Sequence, residues 1–151
     1  MAADYQLSVQ ILGAKELKDA IASVSGIALQ AIKDALDKTA IDLEYKARGK
    51  APHKTGALWT SIHTEPAQVT ADNVEAKVGT TKNIKYARAQ EYGTRGMTIH
   101  SHSRSGKPFT YIGNIPPKYY MRDAREEIKP EMTENMSAAA QKIVRHLATK
   151  G

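Results

Sequence analysis

The chain has 151 residues and 41% hydrophobic content, enough for one compact domain with a modest core and too little for two. It has no cysteine, which excludes a disulfide framework, Cys-ligated zinc and a thiol nucleophile. The formal charge of +6 comes without a basic-then-apolar leader or a run near the roughly 20 apolar residues of a membrane helix, so neither a signal peptide nor a transmembrane anchor is expected.

Residues Tyr5 to Ile11 alternate, with Tyr5, Leu7, Val9 and Ile11 on one side and Gln6, Ser8 and Gln10 on the other. This period of two predicts a half-buried strand that Gly13 ends. Lys15 to Ser23 reads as a short helix with Leu17, Ala20 and Ile21 on one side. Ser25 then suits the N-cap of a long helix from Gly26 to about Arg48. Along it Ile32, Leu36, Ala40, Leu43 and Ala47 recur at spacings of three and four and form one apolar stripe. Asp34, Asp37, Lys38, Asp42 and Lys46 populate the other side, where Asp34–Lys38 and Asp42–Lys46 are i,i+4 pairs in the favourable order. Gly49 and Pro52 stop the helix.

A basic, breaker-rich loop follows at Gly49–Gly56. Leu58 to His63 and Val74 to Val78 are predicted as strands, with Asp72-Asn73 at a turn between them, although Val69 can extend the first. This hairpin would join the first strand in an antiparallel sheet. Tyr86 to Tyr92 fits either a helical turn or a short strand, and Gly93 ends it. Met97–His102 and Phe109–Ile112 are predicted as arms of a protruding hairpin with Arg104–Lys107 at its tip, an excursion of a length that is usually functional. Pro116-Pro117 lead into a last helix from about Lys118 to Ala148, which Pro130 must kink or split. Asp123, Glu126 and Glu127 near its start and Lys142, Arg145 and Lys150 near its end complement the helix dipole. The predicted class is therefore α+β: a small antiparallel sheet packed against a long helix in the N-terminal half and a kinked or split C-terminal helix. The whole chain, 1–151, is expected to be a single domain with an extended hairpin at about 95–113.

The charge is unevenly placed. Residues 1–50 hold seven Lys/Arg against seven Asp/Glu, residues 51–120 nine against four, and residues 121–151 six against five. The middle segment thus carries a surplus of five (nine minus four) and is the part that would face DNA or an acidic partner. A plain solvated basic surface is the simpler explanation.

Little in the chain points to catalysis. His100 and His102 share a face on a strand, as paired metal ligands would, but no Asp, Glu or Cys lies near them in sequence to complete a site. His53, His63 and His146 are isolated. Glu91, between Gln90 and Tyr92, is the most notable acid, yet it lacks a paired carboxylate or nucleophile. GxSxG, HExxH, a phosphate loop and a dinucleotide fingerprint are all missing, and Arg104–Lys107 lacks the leading Gly and the following Ser/Thr of a phosphate loop. No catalytic residue, metal or cofactor is expected. Zinc-finger, RNP-like and helix-turn-helix patterns are missing too.

A longer pattern runs from 47 to 121. It comprises Ala47-Arg48-Gly49-Lys50-Ala51-Pro52, Lys54-Thr55-Gly56-Ala57-Leu58, Ser61-Ile62, Val78-Gly79-Thr80, Tyr86-Ala87, Glu91-Tyr92-Gly93-Thr94 and Pro116-Pro117 before Tyr120-Met121. This resembles a family of small tailed-bacteriophage neck and tail-completion proteins, which also occur in prophages as tail-component or head-tail joining proteins. The family's pattern is a helix ending in A-P-x-x-T-G-x-L, a strand, a Y-A-x-x-x-E-x-G-T segment and a Pro-aromatic start to the last helix; each of these four is weak alone, but all four in order are specific. The chain departs from the family where a final Gln-Pro-Phe is usual, reading Ile115-Pro116-Pro117-Lys118-Tyr119-Tyr120, and in its longer hairpin at 95–113.

The resemblance implies a structural virion protein at the neck, a ring-forming subunit that joins head and tail or completes the tail, assembled in the host cytoplasm. By analogy with tail symmetry the preferred ring is a homo-hexamer. Its partners would be itself, head-closure, connector or tail proteins and the DNA in the channel, with no membrane. Arg95, His100, His102, Arg104 and Lys107 are the candidate interface or DNA-facing residues. Pro52, Thr55, Gly56, Tyr86, Glu91, Gly93 and Thr94 are the candidate structural motif. Thr55 and Gly56 would turn the chain from helix to strand, and Glu91 would accept backbone or Arg/Lys hydrogen bonds at a tight turn. The rival reading is a nucleic-acid-binding protein that uses the basic 51–120 segment.

Overall fold

In the computed structural model, the stripe of the long helix becomes the centre of the core. The structure describes residues 8–12, 26–54, 56–69, 74–81, 83, 84, 86–102, 106 and 108–150. Helix α1 spans Gly26–Lys50. All five stripe residues are buried, Ala40, Leu43 and Ala47 completely. Burying a Leu or Ile of this kind contributes roughly 1.5–3 kcal/mol, so this stripe anchors the fold. Ala28, Ala31 and Ala35 are buried as well. Their small size lets a second helix approach closely along that side of α1.

Strands β1 (Ser8–Leu12), β2 (Ile62–Val69) and β3 (Val74–Thr80) form one antiparallel sheet with β3 in the centre, in the order β1-β3-β2. Val9 lies opposite Val78 and Ile11 opposite Ala76, as expected from the alternation. The other parts of the N-terminal prediction, namely the strand start at Tyr5, the short helix at 15–23 and the Ser25 cap, lie outside the described residues, as does the Asp72-Asn73 turn. In β2 the register shifts between Glu65 and Gln68. Pro66 has no N–H to give the ladder and sits in this bulge. The N–H of Ala67 leaves the sheet and donates to Asp37 Oδ1 of α1 at 2.5 Å, tying strand to helix.

One predicted strand start is corrected. Leu58 to Ser61 belong to a short helix, α2 (Ala57–Ser61), and the strand begins at Ile62. Leu58, Ser61 and Ile62 are the buried positions, a spacing of three and four instead of two. The Thr60 and Ser61 hydroxyls close the turn by donating to the carbonyls of Gly56 (3.0 Å) and Leu58 (2.7 Å).

The segment that fits either class is helical: α3 spans Ala87–Tyr92. Strands β4 (Thr94–His102) and β5 (Pro108–Ile115) form a separate two-stranded sheet, longer at its base than predicted. Among the described residues, the extended contacts of these arms are with each other alone. The last helix, α4 (Tyr120–Lys150), runs unbroken through Pro130. The carbonyl that loses its partner is that of Glu126, and both residues are exposed, so water can serve it. The packed stripe meanwhile continues across the proline as Ala124, Ile128, Met132, Met136, Ala139 and Ile143.

Helices α1 and α4 pack antiparallel, because Lys38 meets Asn135 while Lys46 meets Glu127 and Glu131. The Asn135 amide also donates to the Thr39 hydroxyl at 3.1 Å, and that hydroxyl donates to the Ala35 carbonyl at 2.8 Å. A fully buried polar side chain is thereby satisfied at the helix seam.

Candidate functional site

The hairpin leaves the body at a clasp built from the Glu91-Tyr92-Gly93-Thr94 motif. Glu91 ends a short helix yet is 1% exposed. Its Oε2 accepts the Met121 N–H at 2.9 Å and its Oε1 the Arg122 N–H at 3.0 Å. These are free donors of the first turn of α4, where an N-cap side chain would ordinarily act. The residue in that place, Tyr119, cannot cap, so a carboxylate 30 positions before Met121 does so and complements the helix dipole. The backbone repeats the link, with Lys118 N–H donating to the Gln90 carbonyl (2.8 Å) and Tyr119 N–H to the Glu91 carbonyl (3.1 Å).

Tyr119 is held at φ 50°, a left-handed conformation rare for an aromatic residue. The Arg122 guanidinium stacks 3.6 Å from its ring centre. Tyr120 is fully buried, with its hydroxyl 3.5 Å from the Ala87 carbonyl. Burial first, and the Glu91 carboxylate second, hold its phenol well above the usual range.

Gly93 is required by space as well as by conformation. It has φ 71° and ψ 174°. A Cβ there would lie 2.6 Å from the Ile115 carbonyl oxygen and 2.9 Å from both Pro117 Cδ and Pro117 N. The exit of β5 and the Pro116-Pro117 pair therefore run directly over it, and the motif grips both ends of the hairpin. Next to it, two residues on β4, Arg95 and Gly96, face one on β5, Asn114. This bulge uses the left-handed Gly96 (φ 61°), whose N–H donates to Asn114 Oδ1 at 2.8 Å. Bulges bend and twist a ribbon, and this one sets the angle at which the hairpin departs.

A second knot ties the C-terminal end of α1 to β2. Arg48 donates through Nε and Nη2 to the Ile62 carbonyl at 2.9 and 2.6 Å. Its Nη2 also pairs with Glu44 at 2.9 Å, and the guanidinium lies 5.5 Å from the Trp59 ring centre. Arg48 falls within the family pattern at 47–52 but nothing there marks it as a partner of β2, and Trp59 is marked by no local motif. The nearest sequence signal is that Arg48 and Trp59 flank the Pro52–Gly56 turn.

The predicted motif residues divide as follows. Pro52, half-buried, follows the last turn of α1, and Gly56 (φ 74°) starts α2. Tyr86 precedes α3 and is 40% exposed. Thr94 pairs with Ile115 at the hairpin base, and its buried hydroxyl has no hydrogen-bond partner among the described residues. Thr55 lies outside the described residues. Of the predicted interface residues, Arg95 is exposed at the hairpin base. His100 and His102 stand opposite Thr110 and Pro108 on the ribbon. Arg104 and Lys107 lie outside the described residues. Among the described residues no three or more His, Cys, Asp or Glu gather as a metal site, and no helix is long and apolar enough to cross a membrane.

A family model matches the chain. It is described as "Bacteriophage HK97-gp10, putative tail-component", and the match covers residues 15–93, from before α1 through the Glu91-Tyr92-Gly93 clasp. The hairpin and α4 lie beyond the match. No curated protein and no solved structure matches.

Proposed function

The chain belongs to this bacteriophage tail-component family, and from that premise we propose that it is a ring-forming neck subunit that joins head and tail or completes the tail. The observation that carries the reading is the division of labour in the fold. The body is closed around its own core, and the clasp spends a buried carboxylate and an obligate glycine on presenting a hairpin whose extended contacts, among the described residues, are between its own two arms. Such an arrangement fits contact with a neighbouring molecule better than conversion of a substrate.

In this reading copies of the chain assemble as a closed ring, a hexamer by analogy with tail symmetry, in contact with head-closure, connector or tail proteins. Rings arise when one patch meets a different patch on the next copy and the rotation closes. Arg95, Arg104 and Lys107, with His100 and His102, contact an adjacent ring or the DNA. Deletion of residues 97–112 tests this. The truncated chain is expected to stay folded while heads and tails accumulate unjoined, and normal infectious particles would refute it. The alternative of a nucleic-acid-binding protein has one observation in its favour, the basic excess of residues 51–120. It predicts salt-dependent DNA binding by the isolated monomer.

A further inference from the structure

The pairing register of the hairpin separates its residues into two unlike faces. Directly opposed residues of antiparallel strands share a face, and faces alternate along a strand. Met97 stands opposite Gly113, Ile99 opposite Tyr111 and Ser101 opposite Phe109. One face therefore carries Met97, Ile99, Phe109 and Tyr111 together with Ser101 and Gly113. The other carries Thr98, His100, His102 and Thr110 together with Pro108 and, near the base, Ile112. A lone two-stranded ribbon is marginal in water and needs its apolar face covered. This one extends about 26 Å over eight residues, far enough to reach a neighbouring molecule. From residue 92 to residue 122 the sequence has no Asp or Glu at all.

The body offers a matching surface between α1 and α4. Ile41 and Tyr45, one turn apart on α1, are 61% and 81% exposed. Tyr45 lines an open groove between α1 and α4, together with Asp42, Lys46, Gly49, Lys50, Glu127 and Glu131, and Ile41 stands one helical turn before it. Both lysines are already used: Lys46 pairs with Glu127 (3.3 Å) and Glu131 (3.0 Å), and Lys50 with Glu127 (2.8 Å). Three carboxylates against two ammonium groups leave the groove net acidic. Exposed apolar residues beside a net acidic groove complement a ribbon that is apolar on one face and free of carboxylates.

We infer that the apolar face of the β4–β5 hairpin of one copy seats in the α1–α4 groove of the next, against Ile41 and Tyr45. This rests on the ring reading and identifies the two unlike patches that a ring requires. DNA would satisfy the charge of the hairpin but not its apolar face.

The chain has no cysteine, so introduced thiols report unambiguously. Tyr45→Cys and Ser101→Cys are made as separate full-length proteins, mixed, assembled alone or in particles, and treated with a short thiol–thiol cross-linker. A linked dimer in the mixture, and in neither protein alone, is expected. Linkage of Ser101→Cys to itself would place hairpin on hairpin and overturn the inference. So would assembly without any linkage, or displacement of the hairpin from the groove by a DNA competitor. Tyr45→Asp, at an exposed position, is expected to melt like the parent as a monomer but to self-associate at least about tenfold more weakly, the effect of losing one good interface anchor. Unchanged association would equally overturn it. A chain that never self-associates or enters particles removes the ring reading and this inference together. One that assembles without the cross-link removes this inference alone.

Discussion

Replacing Glu91 by Gln tests whether a side chain from α3 holds the start of α4. The substitution keeps the shape and one acceptor oxygen. It turns the other oxygen into an NH₂ group aimed at one of the two N–H donors, Met121 or Arg122, that Glu91 now satisfies. A lost hydrogen bond to a charged group costs about 1.5–3 kcal/mol when the site is buried, and the interaction with the helix terminus adds about 0.3–1 kcal/mol. The expected loss is thus about 2–4 kcal/mol for Glu91→Gln. Glu91→Ala, which orphans both donors and leaves a void, should lose about 3–5 kcal/mol. For a chain of this size the Gln variant's loss corresponds to a fall in Tm of about 4–16 °C. Urea and thermal melts give the magnitude, and hydrogen exchange at the Met121 and Arg122 amides gives the place. Glu134→Gln, exposed on the same helix, is the control and should stay within about 0.5 kcal/mol. A Glu91→Gln protein with parental Tm and parental exchange at those amides would refute the clasp.

Gly93→Ala forces a Cβ against the Ile115 carbonyl and Pro117 in a backbone region that is essentially glycine-only; it should cost at least about 2 kcal/mol in a urea melt. Gly49→Ala meets nothing within 4 Å on α1 and should stabilise by up to about 0.5–1 kcal/mol, so equal effects of the two would contradict the assignment. The Lys50 and Lys46 hydrogen bonds hold the Glu127 carboxyl below its ordinary value of 4.5. A depressed folded-state value contributes stability above the unfolded value that is lost as pH falls through the folded one. Stability–pH curves of parent and Glu127→Gln should therefore converge as the medium is acidified below about pH 4.5, and parallel curves would contradict the pairing.

How much of this was legible in the sequence varied with the distance over which each residue acts. The α1 stripe was readable because Ile32, Leu36, Ala40, Leu43 and Ala47 repeat within one element and bury one face. The first strand and its joining of the hairpin in one antiparallel sheet were readable from alternation, while its place beside β3 instead of β2 was not. The four residues from Leu58 to Ser61 were misread because a single helical turn is too short to distinguish a period of 3.6 from one of 2. What decides it is hydroxyl back-bonding, which hydrophobicity does not report. The continuity of α4 was partly visible, since the apolar spacing from Ala124 to Ile143 ignores Pro130. The motif around Glu91 marked a turn and an acceptor, but its partners lie 30 residues away at a helix start. The same holds for Asp37 with Ala67 and for Arg48 with Ile62. These contacts depend on the finished fold and leave no local pattern.

Native mass spectrometry of the purified chain, alone and with its virion neighbours, bears most directly on the claim that this fold is built to join copies of itself. A single closed oligomer is predicted, with six subunits preferred. Persistence as a monomer at all concentrations and in the presence of every virion component would contradict it.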